Sequence, residues 1–300
     1  MARRNRGRPI SGWLNLDKPA GMTSTQAVGA VRRLLDAQKV GHGGTLDPLA
    51  TGVLPIALGE ATKTVAYVMD GEKEYEFTIR WGEERDTDDA EGAVVAASDK
   101  RPSRAEVAAA LPAFIGEISQ LPPAFSALKV AGERAYDIAR RGDEVALHPR
   151  TVTVRAFAPA KGALDDANHM TFQVVCGKGT YVRALARDLA RALGTVGHVA
   201  ALRRTRVGPF RSEAAISLDR LADLVHSAPL DSVLLPVKTA LDDIPALAIT
   251  GGEAERLKAG QPLRVPSRKQ GIVQVRSGDA LIALGEVDGG LLRPLRVFNI

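Results

Sequence analysis

The chain has 300 residues, 45% of them hydrophobic and 25% charged, a balance that supports a packed core and excludes disorder for want of one. Lys and Arg number 40 against 35 Asp and Glu, a net charge of +5. The excess gathers in Met1–Pro9, Leu202–Phe210 and Leu292–Arg296, a pattern that suits a polyanionic partner as well as it suits solvated loops. The single cysteine, Cys176, excludes an internal disulfide and fits a cytoplasmic setting. The five histidines stand at no metal-ligand spacing. No uncharged run approaches the roughly 18 residues of a membrane helix.

In chain order, Gly12–Leu16 reads as a short strand, and Ser24 or Thr25 caps a helix with Val28, Val31 and Leu35 on its apolar face. Val40–Gly52 is a glycine-rich loop, Val53–Leu58 a buried strand and Ala61–Met69 a helix. Tyr75, Phe77, Ile79 and Trp81 alternate with polar residues, as a half-buried strand requires, and Gly92–Ala97 is the expected partner of that strand. Ser103 and Glu106 form a capping box for a helix reaching about Ile115. Thr151–Phe157 and Met170–Cys176 are further strands, and Thr180–Leu193 is a strongly amphipathic helix. Strands and helices mix without strict alternation, so an α+β fold with a mainly antiparallel sheet is expected. Pro229, Pro236 and Pro245 break the pattern and place a domain boundary there. Beyond it, short apolar runs at Leu263–Val265, Gly271–Val275, Leu281–Val287 and Leu295–Phe298 predict a small β-rich module.

The chemistry concentrates in Gly41–Thr64, GHGGTLDPLATGVLPIALGEATKT, which packs glycines around His42 and Asp47. Pro48 disfavours helical backbone at Asp47, so this carboxylate is expected on a rigid loop. Taken alone, an Asp-Pro is also at home capping a turn. A phosphate-cradling reading is weak, because no GxxxxGK[ST] is present.

This segment resembles the signature of the TruB family, the bacterial tRNA pseudouridine-55 synthases. Further stretches resemble that family in the same order: Gly12–Ser24, Glu72–Gly92, Gln120–Arg140, Gly177–Gly194 and Leu202–Phe210, together spanning roughly residues 12–210. The resemblance implies a pseudouridine synthase catalytic domain at 12–243, preceded by a basic tail at 1–11. It implies a mobile RNA-gripping insertion at about 124–150 and a PUA-like RNA-binding domain at 244–300.

The implied activity is isomerisation of uridine 55 in the tRNA T-arm by a cytoplasmic, cofactor-free monomer that binds no metal and no membrane. The alternative is a protein that binds and folds tRNA without chemistry. By resemblance, Asp47 is the nucleophile. Arg183 holds it, a task for which a guanidinium offers two parallel hydrogen bonds. Tyr75 stacks on the target base with its hydroxyl near carbon 5, from which a proton must leave. His42 fills the gap left by the flipped base, Asp89 contacts the base or its neighbours, and Lys18, Tyr181 and Leu202 form the pocket wall. Arg203, Arg204 and Arg206 suggest a basic strip for phosphates beside the pocket. Residue-level alternatives stand beside these roles: a sheet tyrosine for Tyr75, a turn histidine for His42, a solvated acidic turn for Asp89, a surface lysine for Lys18 and a solvated helix face for Arg187 and Arg191.

Overall fold

The computed structural model describes residues 7–126, 128–130, 132–143, 145–160, 166–227, 229–266 and 270–300. Residues 1–6 of the basic tail expected at 1–11, and parts of the 124–150 insertion, lie outside the described residues. The first half runs β1 (Gly12–Lys18), α1 (Ser24–Leu35), β2 (Val40–His42), β3 (Thr51–Leu58), α2 (Val65–Asp70), β4 (Lys73–Trp81), β5 (Glu83–Arg85), β6 (Val94–Ala97), α3 (Arg104–Ala110) and β7 (Gly116–Gln120). It continues through the short β8 (Lys129–Val130), β9 (Glu133–Arg134) and α4 (Ala135–Arg140) to β10 (Arg150–Pro159), β11 (His169–Cys176), α5 (Val182–Ala192), β12 (Gly197–Val207), β13 (Phe210–Arg211) and α6 (Leu218–Ser227). The last part comprises β14 (Ala246–Ala248), α7 (Gly251–Lys258), β15 (Leu263–Arg264), β16 (Gly271–Ser277), β17 (Ala280–Asp288) and β18 (Leu291–Val297).

A nine-stranded sheet carries the order β1-β3-β12-β4-β11-β10-β7, with β2 on β3 and β13 on β12. All its pairings are antiparallel except β3 with β12. The expected α+β class with a mainly antiparallel sheet is therefore the fold. One register row sets up everything that follows. Lys18 pairs with Gly52, Gly52 with Arg204, and Arg204 with Tyr75. Directly paired residues project from the same face of a sheet, so residues 18, 204 and 75, distant in sequence, share one face.

Helices α1 and α5 bury their apolar stripes beside this sheet, with Val31, Leu185 and Leu189 fully enclosed in its main core. Aromatic rings brace the core, Phe77 stacking on Phe172 at 5.6 Å and Trp81 meeting Phe172 edge-on. Each such fully buried apolar side chain contributes roughly 1.5–3 kcal/mol. Strands β14–β18 form a second, five-stranded sheet in the order β14-β16-β17-β18-β15. Leu281 and Leu284 from it, with Phe298 just after β18, share an apolar cluster with Trp13, Val53 and Phe210 of the first sheet and Val68 of α2. Among the described residues no helix is long and apolar enough to cross a membrane.

Several sequence expectations shift. The cap of α1 is Thr23, in a capping box with Gln26, which frees Ser24 for another task. Gly59–Thr64 is a 3-10 turn, and only Val65–Asp70 is α-helical. Strand β6 pairs with β5 instead of β4, because both edges of β4 are taken by β11 and β12. Helix α5 begins at Val182 with Tyr181 as its cap residue. Strand β7 and helices α6 and α7 are not among the sequence expectations, although α7 opens on a Thr250–Glu253 capping box within the β-rich module.

Candidate active site

Asp47 stands on the loop between β2 and β3, and the backbone around it is pinned from four directions. The Ser24 hydroxyl donates to the Leu46 carbonyl at 3.0 Å and accepts from the Leu46 N–H at 2.8 Å. Arg204 donates to the carbonyls of Gly44 (3.0 Å), Thr45 (3.2 Å) and Val53 (2.8 Å). Lys18 Nζ donates to Pro48 O at 3.3 Å, and Gly21 N–H reaches the same oxygen at 2.9 Å. Ala50 N–H closes a turn onto Asp47 O at 3.1 Å. The backbone is held, while the Asp47 carboxylate stays 36% exposed. Such fixing is what a reacting group needs if its geometry is to be set before substrate arrives.

Arg183 projects from the first turn of α5 into this site and is only 4% exposed. Its Nε lies 3.0 Å from Asp47 Oδ2 and its Nη1 3.2 Å from Asp89 Oδ2. Nη1 also donates to Thr87 O and Nη2 to Phe125 O, both at 2.8 Å. The expected pair of parallel bonds to Asp47 is not formed. The guanidinium divides its donors between two carboxylates and two backbone segments, so one cation orients Asp47 and the loop carrying Asp89 together. Asp89 is correspondingly no solvated turn. It is 2% exposed and accepts from Thr87 Oγ1 at 2.6 Å and from the Glu91 N–H at 3.1 Å.

Lys18 is fully buried, not a surface lysine, and its ammonium also serves Pro19 O (2.8 Å) and Met22 O (2.7 Å). Burial pushes its pKa down to about 8, against the pull of Asp47 and Glu91. Tyr75 is part-buried beside Arg204. Burial raises its hydroxyl above the ordinary phenol value, and the Arg204 guanidinium opposes that rise in part. His42 is half-buried with Nδ1 3.4 Å from the Gly44 N–H, and burial, reinforced by Arg204, lowers its pKa. Tyr181 is tied to Gln120 twice, its N–H reaching Oε1 at 2.8 Å and its carbonyl accepting from Nε2 at 3.1 Å. Leu202, nearly buried, lines a surface cleft with Leu49, Thr51 and Arg203.

The basic strip expected along β12 is not an open one. Arg204 is 1% exposed, because strand alternation turns it onto the face it shares with Tyr75. Arg203 is half-exposed and doubly bonded to Asp17 at 2.9 and 3.0 Å. Arg206 pairs with Glu74 at 2.7 Å. Nor is Arg187 on a solvated helix face. It is 7% exposed and bonds Asp88 Oδ2 at 2.9 Å, whereas Arg191 does lie at the surface, paired with Glu84. Ser24, Gln120, Asp88 and Arg187 are supporting residues that sequence reasoning missed. Of these only Arg187 carried a signal, its i, i+4 spacing from Arg183 opposite adjacent aspartates.

Residues 32–182 match the model of the TruB family pseudouridylate synthase N-terminal domain. Residues 183–242 match that of the tRNA pseudouridylate synthase B C-terminal domain. The chain belongs to the TruB family. Its similarity to curated members extends over the full length. It is 56% identical to tRNA pseudouridine synthase B of Caulobacter vibrioides, covering 100% of both chains. It is also 56% identical to the protein of the same name from Gluconacetobacter diazotrophicus, over 98% of this chain and 99% of that one. Among solved structures, one of an H/ACA RNP bound to a substrate RNA containing 2'-deoxyuridine superposes with a TM-score of 0.74 at 26% identity, covering all of this chain and 92% of that one. The archaeal box H/ACA sRNP Nop10-Cbf5 complex gives 0.73, again at 26% identity, covering all of this chain and 93% of that one.

Proposed function

We propose that this TruB-family chain isomerises uridine 55 in the T-arm of tRNA to pseudouridine, with Asp47 as nucleophile. The observation that carries the reading is the Arg183–Asp47 ion pair, on a loop whose backbone Lys18 and Arg204 hold, in a chain 56% identical to tRNA pseudouridine synthases B. The Asp47 carboxylate attacks the ribose or the base, and the carbon–nitrogen glycosidic bond breaks. The freed uracil turns over, carbon 5 bonds to the ribose, and the carbon-5 proton leaves while N1 ends protonated. Atoms and electrons balance within the nucleotide, so the isomerisation consumes no oxidant or reductant.

The ring of Tyr75 stacks on the extruded base, an interaction worth roughly 1–3 kcal/mol, comparable to the few kcal/mol that flipping costs. Its raised pKa favours the neutral phenol, which suits a stacking ring and hydrogen-bond donor more than a base. Asp89, Tyr181, Leu202 and Lys18 bound the pocket, His42 occupies the vacated position in the RNA, and Arg203 contacts phosphate. The β-rich module from Ala246 onward adds RNA contacts as a PUA-like domain.

The test is tritium release from unmodified tRNA labelled at carbon 5 of uridine, with product mapping by carbodiimide primer extension. The expected result is release by the wild-type protein and none by Asp47→Asn, with a stop at position 55. Tight tRNA binding by both proteins with release by neither overturns the reading in favour of a binding protein.

A further inference from the structure

Two arginines one turn apart on α5 bind the same two pieces of chain. Arg183 takes Thr87 O and Asp89 from the 86–92 loop and Phe125 O from the segment after β7. Arg187 repeats the pattern a turn further on. Its Nη1 donates to Asp88 Oδ2 at 2.9 Å and its Nη2 to Leu121 O at 2.8 Å, while Nε bonds Asp188 on its own helix. The Arg187 and Asp88 side chains are 8% and 9% exposed.

The backbone of Asp88 is equally committed. It holds φ = 59°, one of two positive values among the described non-glycine residues, a conformation that L side chains adopt at a cost. Its N–H bonds Arg85 O at 3.0 Å and its carbonyl accepts from Val199 N–H at 3.1 Å. The next residue, Asp89, forms a bridge with Val199 on β12. Any displacement of Asp88 therefore moves the carboxylate that faces Arg183.

We infer that the buried Asp88–Arg187 ion pair is a positioning device for the reaction, locking the Asp89 loop and the 121–125 segment onto α5 so that Arg183 meets Asp47 in the reactive geometry. A buried pair is a weak source of net stability but a costly thing to break, so its use here is register. The inference rests on the reading of Asp47 as the reacting carboxylate. Arg187 touches neither Asp47 nor Asp89 and acts only through Arg183 and the loop.

The pair also makes this geometry sensitive to acid. Burial outweighs the attraction of Arg187 and raises Asp88 to about 6. The charged and titratable groups around it are Arg183, Arg187, Asp188 and Arg191 on α5, Arg85 at the end of β5, Asp89 beside it in its own loop, and His198 on β12, whose ring bonds Glu83 O. The segment from Leu121 to Ser126 brings no charge. As pH falls through about 6, Asp88 takes a proton and the ionic lock weakens.

The experiment is the single-turnover rate of pseudouridine formation between pH 5 and 8, with tRNA affinity measured alongside. It compares the full-length wild type, Asp88→Asn, Arg187→Gln and the swapped Asp88→Arg/Arg187→Asp. Asp88→Asn is near-isosteric and is the variant that decides. Its expected rate at pH 7.5 is lower by about tenfold or more, with tRNA affinity within about twofold of wild type. The wild-type decline near pH 6 is expected to be absent from it, and the swap is expected to regain part of the rate that Arg187→Gln loses. A wild-type rate in Asp88→Asn overturns the inference. So does a loss that is equal at every pH with the acid decline intact, which marks a merely structural contact. An inactive wild type overturns instead the reading of the site itself.

Discussion

Gly52 and Arg204 approach so closely across the β3–β12 pairing that a β-carbon on Gly52 would lie 2.2 Å from the Arg204 carbonyl oxygen. Gly52 also holds φ = 97°, outside the range that other residues favour. Backbone must move if a methyl group is added, and the row that carries Lys18, Arg204 and Tyr75 moves with it. Gly52→Ala is expected to lose about 3 kcal/mol or more of stability. Gly41, on the neighbouring strand β2, has nothing within 4 Å of its would-be β-carbon and a φ outside the left-handed range, so Gly41→Ala is expected to stay within about 0.5 kcal/mol. Urea midpoints of the two variants check the contrast. Equal losses would mean that the close approach does not govern the loop.

Arg183 has a structural task separable from the catalytic one proposed for it. Asp89 is enclosed at 2% exposure with Arg183 as its ion-pair partner, whereas Asp47 is open to water. Arg183→Met strands the Asp89 carboxylate and is expected to cost about 3–5 kcal/mol. Adding Asp89→Asn removes the stranded charge and is expected to restore part of that stability while pseudouridine formation stays absent. Denaturant midpoints and tritium release on both proteins give the test. A double variant no more stable than the single one would show that Asp89 does not depend on the arginine charge.

Lys73 offers a stability prediction with a definite sign. It is 7% exposed, its ammonium serves the carbonyls of Met69 and Gly71, and burial lowers its pKa to about 8 from 10.5. Between those two values the unfolded chain binds more protons than the folded one, so stability rises with pH. Below about 8 both states are protonated and the full penalty of the buried charge is present. From pH 7.5 to 9.5 the wild type is expected to gain about 1–2 kcal/mol relative to Lys73→Met, which has no such proton to lose. A flat difference in urea stability across that range contradicts the buried-ammonium assignment. Lys18, lowered by the same cause, adds a change of the same sign.

The alternating strand at Tyr75–Trp81, the capped helix at Ser103 and the amphipathic helix of Arg183 were legible because local pattern alone dictates them. So was the unusual loop of Asp47, since no regular element accommodates its glycines and proline. What local pattern cannot carry is register. Lys18, Gly52, Arg204 and Tyr75 meet only because β1, β3, β12 and β4 pair in one particular alignment. A one-residue slip would turn Arg204 to the other face. For that reason a cluster of arginines at 203–206 reads as a phosphate strip in sequence and resolves in the fold into one interior clamp and two paired surface groups. The same limit hid the Asp88–Arg187 pair, whose partners are 99 residues apart.

The neighbouring arginines of β12 should accordingly respond in opposite ways. Arg204→Met leaves the carbonyls of Gly44, Thr45 and Val53 without their buried donor, and about 2–4 kcal/mol of stability is expected to go with it. The Asp47 loop loses a main anchor, so the single-turnover rate is expected to fall while tRNA affinity changes little. Arg203→Ala gives up only a half-exposed pair with Asp17, worth about 0–1 kcal/mol. Its expected effect is on tRNA binding, with weaker affinity and a shallower salt dependence, because a lost phosphate contact reduces the number of counterions released. Stability, single-turnover rate and tRNA affinity over a range of salt separate the two. An unchanged rate in Arg204→Met would detach that residue from the Asp47 loop, and an unchanged salt slope in Arg203→Ala would remove it from the RNA interface.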